Sequence, residues 1–158
     1  MNIKVKIIIS CLILSFSLNA QTVTQVYKIK DLLNRIDTSK TTLVINFWAT
    51  WCKPCVQELP AFDSLTAAKN TCQVILVSLD FKEDIEKKVN PFLKKNSVKS
   101  ECVLLDEING NDYINKISEK WSGAIPATIF IGKDKTLFEE RKFKLIELLN
   151  KLAELEKK

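Results

Sequence analysis

Phe47-Trp48-Ala49-Thr50-Trp51-Cys52-Lys53-Pro54-Cys55 decides how this chain is read. Two cysteines stand three positions apart, after the apolar run Leu43-Val44-Ile45-Asn46-Phe47-Trp48 and before a helical pattern. A continuous apolar run of that length reads as a buried central strand. The strand delivers the chain to the sheet edge where α/β folds place their sites. Cys52 then falls in the first turn of a helix, where unpaired N–H groups and the helix dipole favour a thiolate. Lys53 adds positive charge, and Pro54 is tolerated because an N–H there would lack a partner anyway. Cys55, one turn further in, is expected to be more buried and less acidic. The pattern predicts a reversible dithiol/disulfide switch in which Cys52 attacks and Cys55 resolves. A Cys-x-x-Cys pair alone would also suit a structural disulfide or half a zinc site. Its flanks between strand and helix favour the redox role.

The rest of the chain arranges itself around this stretch. Helical periodicity is expected at residues 31–36, 52–69, 83–95, 112–121 and 144–158, with Pro60 kinking the second of these. Strand patterns are expected at 43–48, 73–79, 102–105, 128–131 and 136–141, the last two joined by a tight turn at 133–135. Residues 21–24 read as a free N-terminal arm. The order predicts a single α/β domain over 21–158, with a mixed, mostly parallel central sheet flanked by helices on both faces. Only three glycines occur, and no glycine-rich phosphate loop can be built from them.

Lys4 and Lys6, an apolar stretch over residues 7–18 and the small residue Ala20 read as a secretory signal peptide, residues 1–20, cleaved after Ala20. The apolar stretch is too short for a transmembrane helix, and Cys11 only loosely imitates a lipoprotein cleavage site. The protein is therefore expected to be exported, periplasmic or otherwise extracytoplasmic, and soluble after cleavage. In an oxidising compartment a dithiol stays reduced only if something reduces it, so an external electron donor is implied. The formal net charge is +5, dispersed among acids on helical faces, which argues against nucleic acid as a partner. There is no histidine, which excludes Ser-His and Cys-His catalysis and any His-ligated metal.

The nine quoted residues resemble the active site of the thioredoxin superfamily. With Val56-Gln57-Glu58-Leu59-Pro60 they resemble, more narrowly, exported thiol-disulfide oxidoreductases of the TlpA/ResA type. Trp121-Ser122-Gly123-Ala124-Ile125-Pro126-Ala127-Thr128 resembles that superfamily's second signature, a cis-proline loop. The resemblance implies a thioredoxin-like fold with an inserted helix and strand over residues 83–105. It implies a cis Pro126 beside the cysteines, with the backbone of Ile125 pairing an extended substrate and Trp51, Lys53 and Pro54 on the substrate side. It also implies no cofactor beyond the cysteine pair, and protein disulfides as substrates of a monomeric reductase fed by a membrane thiol-disulfide transporter. Glu58, one turn beyond Cys55, either handles a proton for the buried thiol or is an ordinary surface carboxylate. Asn46 stands where cytosolic thioredoxins carry a buried acid, and it cannot titrate.

Other positions stay open at this level. Trp48 is expected in the core, and Trp121 either lines the substrate groove or packs at a helix end. Cys72 and Cys102 each begin a strand. If those strands are parallel neighbours the two cysteines lie roughly level, as a structural disulfide or as two apolar thiols. Two other functions share this architecture. A peroxiredoxin-like thiol peroxidase would use Thr50, two residues before Cys52, with an arginine nearby, yet only Arg35 and Arg141 exist. A Cu(I) carrier binding through Cys52 and Cys55 would lack the histidine that such carriers add.

Overall fold

The structure is a computed structural model, and it describes residues 21–68 and 72–157. The expected signal peptide, residues 1–20, lies outside the described residues. Six strands form one sheet in the order β1-β4-β3-β2-β5-β6. They are β1 (Val23–Tyr27), β2 (Thr42–Trp48), β3 (Cys72–Ser78), β4 (Glu101–Leu105), β5 (Ala127–Ile131) and β6 (Thr136–Glu139). β1, β4, β3 and β2 run parallel, β5 is antiparallel to β2, and β6 is antiparallel to β5. The helices are α1 (Ile29–Thr38), α2 (Lys53–Ala68), α3 (Asn90–Lys95), α4 (Ile114–Ile117) and α5 (Leu145–Glu156). The sheet is mixed, mostly parallel and thioredoxin-like.

Alternation along the strands sorts the core into two layers. On one face Val44, Trp48, Leu76, Cys102 and Phe130 pack against Phe62 and Leu65 of α2, Leu93 of α3, and Leu148 and Leu152 of α5. On the other, Ile45, Phe47, Val77, Val103 and Ile129 meet Leu32 of α1 and Ile117 of α4. β2 is central, and its residues 43–48 are completely buried. That is why it reads as an unbroken apolar run with a single polar interruption, Asn46. The interruption falls on the α2 face, where it has a use described below.

Three expectations are corrected. Residues 21–24 are not a free arm, because Val23 and Thr24 open β1, which pairs with β4 as a parallel edge strand. The three middle residues of this edge strand are exposed, so its sequence, Val-Thr-Gln-Val-Tyr, lacks the apolar run of a central strand. The helix expected over 112–121 shortens to a 3₁₀ turn at Gly110–Asp112 and the single turn α4. Ser118 is extended there, and Trp121 is drawn into the core against Phe47. The helix expected over 83–95 is composite: a 3₁₀ turn (Lys82–Asp84), a π-helical turn (Ile85–Val89) and then α3. α2 continues as one helix through Pro60, which has no N–H to give to the ladder.

Candidate active site

Cys52 occupies the N-cap of α2. Its carbonyl accepts the first intrahelical bond, from Val56 N–H at 3.0 Å, and its Sγ accepts the Cys55 N–H at 3.3 Å. A side-chain acceptor taking the N–H three residues on is the usual N-cap contact. Here the acceptor is sulfur, so the amides at the helix start address the atom that would carry charge as a thiolate. Cys52 and Cys55 are joined as a disulfide. Cys55 is fully buried, while Cys52 is 6% exposed and lies between the exposed Trp51 and Lys53. Of the two cysteines only Cys52 keeps any exposure to solvent.

Two loops hold this turn in place. On the β3 side, Asp80 is 4% exposed and accepts from Thr50 N–H, Thr50 O–H and Ser78 O–H. Leu79 N–H donates to Trp48 carbonyl at 2.8 Å. Asp80 anchors the turn that carries the cysteines, a part that sequence reasoning missed; its only sequence signal is an acid directly after a buried strand at the sheet edge that carries the cysteines. On the β5 side the Ile125–Pro126 bond is cis, and Ile125 carbonyl lies 3.7 Å from Cys52 Sγ. Once reduced, the Cys52 thiol can donate to that oxygen. The turn before it is shaped by Gly123 at φ 95° and by Trp121 Nε1–H donating to Ala124 carbonyl at 2.8 Å. Trp121 is thus a packing residue that braces the proline loop, not a groove wall.

Beside the disulfide runs a groove of about 310 Å³ lined by Trp51, Phe81, Ile108, Tyr113 and Ile125, among others. Trp51, Phe81 and Ile108 are 68%, 67% and 92% exposed, an unusual concentration of large apolar side chains. Lys53 and Pro54 are exposed at the start of α2.

Glu58 is not a surface carboxylate. It is 1% exposed and faces the sheet, one helical turn beyond Cys55. Oε1 accepts from Asn46 Nδ2 at 2.8 Å and Oε2 accepts from Phe143 N–H at 2.7 Å. Burial raises its pKa to about 7 and outweighs the opposing pull of those two donors and of Lys142 and Arg141. A carboxyl group whose pKa is raised toward neutrality, one helical turn from Cys55, is suited to proton transfer. Phe143, from the loop between β6 and α5, gave no sign in the sequence of its part in this arrangement.

The remaining candidates lie apart. Cys72 and Cys102 are not joined. The β3–β4 register sets Leu76, not Cys72, opposite Cys102. Cys72 is four residues further back, about 13 Å along the strand, well beyond disulfide reach. The expectation that they lie level is corrected by that stagger. Burial pushes the Cys102 thiol up to about 12. Thr50 spends its hydroxyl on Asp80. Arg35 pairs bidentately with Glu101, and Arg141 contacts Glu139, Glu147 and the Phe143 ring. The Thr–Cys–Arg grouping of a thiol peroxidase is not assembled from them. Among the described residues no group of three or more Cys, Asp or Glu converges on a metal site, and no helix is long and apolar enough to cross a membrane.

With this geometry in view, the chain was compared with known proteins. The model of the AhpC/TSA family matches residues 12–139. Thiol-disulfide oxidoreductase ResA of Bacillus cereus is 32% identical over 97 residues, 61% of this chain and 51% of that protein. The chain spans 34–55% of the length of the first curated relatives it matches. Among solved structures, a thioredoxin-related protein from Neisseria meningitidis superposes with a TM-score of 0.66 at 20% identity, covering 77% of this chain and 90% of that one. StoA from Bacillus subtilis superposes with a TM-score of 0.56 at 24% identity, covering 73% and 84%. At those identities the likeness establishes the fold.

Proposed function

The chain belongs to the AhpC/TSA family and to the thioredoxin superfamily, and from that membership we propose that it is an extracytoplasmic thiol-disulfide oxidoreductase that reduces protein disulfides. The observation that carries the reading is Cys52 at the N-cap of α2, its sulfur bonded by the Cys55 N–H and set against the cis-proline loop. The curated relative named a thiol-disulfide oxidoreductase supports the same chemistry.

In the reaction the Cys52 thiolate attacks one sulfur of the substrate disulfide. A mixed disulfide forms and the first substrate thiolate leaves. Cys55 gives up its proton and attacks Cys52 Sγ. The Cys52–Cys55 bond closes, the second substrate thiolate leaves, and two electrons have passed to the substrate. Glu58 accepts the Cys55 proton. An external dithiol then restores the pair, and the resemblance to exported thiol-disulfide oxidoreductases makes a membrane thiol-disulfide transporter the proposed donor. Trp51, Lys53 and Pro54 face the substrate, and the Ile125 backbone beside the cis Pro126 pairs with its extended chain.

The test is trapping with Cys55→Ser in the extracytoplasmic fraction of the producing cell. The expected result is substrate protein held on Cys52 and released by reductant. Capture by Cys52→Ser instead would reverse the two roles, and capture by neither would refute the oxidoreductase reading.

A further inference from the structure

Asn46 and Thr128 are directly opposed in the β2–β5 ladder, and both are completely buried. Asn46 Nδ2 lies 2.8 Å from Glu58 Oε1, 3.1 Å from Thr128 Oγ1 and 3.5 Å from Ala127 carbonyl. Its Oδ1, equally buried, has no partner. An amide that leaves its oxygen unsatisfied is being oriented by something stronger than its own full satisfaction. The opposite orientation would bring Oδ1 against a carboxylate oxygen. The observed one places an N–H donor there, and charge-assisted hydrogen bonds are the strong ones.

The groups around Glu58 narrow the source of control further. From the β6–α5 loop come Lys142, Arg141 and the Phe143 N–H. Arg141 is already engaged by Glu139 and Glu147, and Lys142 bonds Gln57. From α2 the neighbouring titratable group is Cys55, which carries no proton in the disulfide. From β2 and β5 come only the neutral Asn46 and Thr128. The sheet therefore acts on the carboxyl group through one amide. The Phe143 N–H is backbone and cannot turn away, whereas the Asn46 amide can.

Resting on the oxidoreductase reading above, we infer that Asn46 is a positioning residue that lowers the proton affinity of Glu58 against the effect of burial, and so shifts the pH at which the Cys55 proton can be taken. When Glu58 is ionised, Nδ2 donates to Oε1. When Oε1 takes a proton, that O–H meets a donor, and a half-turn of the amide lets the unsatisfied Oδ1 accept it. One proton is gained by Glu58, and no other group changes charge. The direction in which Asn46 acts on Glu58, toward the ionised form, agrees with this geometry.

The experiment uses the oxidised protein, in which neither active-site thiol titrates. The Glu58 side-chain carbon and the Asn46 side-chain nitrogen are followed by NMR across neutral pH. In the wild type both resonances are expected to move with one midpoint. Asn46→Leu, close in size but without a donor, is expected to raise the proton affinity of Glu58 roughly ten- to a hundredfold. Asn46→Asp puts a second carboxyl group in the same buried site and is expected to raise it as well. An Asn46 resonance in the wild type that ignores the Glu58 titration overturns the inference whether or not the variants fold. So does a folded variant whose Glu58 midpoint stays within about twofold of the wild type in proton concentration. Disulfide exchange with a model peptide is measured in parallel. If the wild type shows none while the coupled titration is present, the oxidoreductase reading fails and the Asn46–Glu58 coupling stands.

Discussion

Glu58→Gln should change the pH dependence of stability in a direction opposite to that of ordinary carboxylates. The native pKa is about 7 against an ordinary 4.5. The folded state therefore binds this proton more tightly than the unfolded chain does. Stability from this group is fully present below pH 4.5, declines as pH rises, and is lost above about pH 7. A difference of about 2.5 pH units corresponds to about 3 kcal/mol. Glutamine abolishes the titration and nearly keeps the shape. Its oxygen can accept the Phe143 N–H, and its amide can donate to Asn46 Oδ1, which lacks a partner in the native arrangement. Any loss from imperfect bonding is common to all pH values and cancels in the comparison. The assay is chemical denaturation of the oxidised wild type and variant at about pH 4 and about pH 8, with the disulfide intact. The variant should gain about 3 kcal/mol relative to the wild type between the two. Curves that stay parallel to within about 1 kcal/mol would refute the claim that Glu58 is a buried, destabilised carboxylate.

Two further outcomes follow from the loop anchor and the buried thiol. Asp80→Ala should destabilise the fold by about 3 kcal/mol in denaturant unfolding, because it strands donors on Thr50 and Ser78. Asp80→Asn, which keeps an acceptor, should cost clearly less, and equal losses would contradict the hydrogen-bond account. Cys102 should resist alkylation by iodoacetamide in the native state at pH 8 and react once the chain unfolds, since burial holds its thiol at about 12. Rapid native labelling, read by mass spectrometry, would contradict its placement.

The legible parts were those whose physics is local. β2 announced itself because burial on both faces demands an unbroken apolar run. The placement of Cys52 at a helix start was legible because three residues of spacing, a proline and a helical pattern specify one, although its N-cap contact was not. β1 was not legible, since an edge strand needs apolar residues on only part of its surface. The helix expected over 112–121 was drawn too long because the pull of Trp121 into the core ends it earlier than periodicity suggests. The stagger between Cys72 and Cys102 was hidden because register between parallel strands is set by the packing of whole layers, not by either strand's own residues.

By itself the amino-acid sequence determined the fold class and the placement of two cysteines at a helix start, which follow from backbone preference and periodicity acting over a few residues. The loop that faces them was implied by the resemblance of residues 121–128 to a cis-proline signature. The tertiary structure decided the state of Glu58. Its proton affinity depends on being shut away from water beneath the sheet, on a backbone N–H from residue 143 and on an amide from β2. Desolvation and hydrogen bonding are sums over whatever surrounds a group, and those surroundings come from segments up to 85 residues away along the chain.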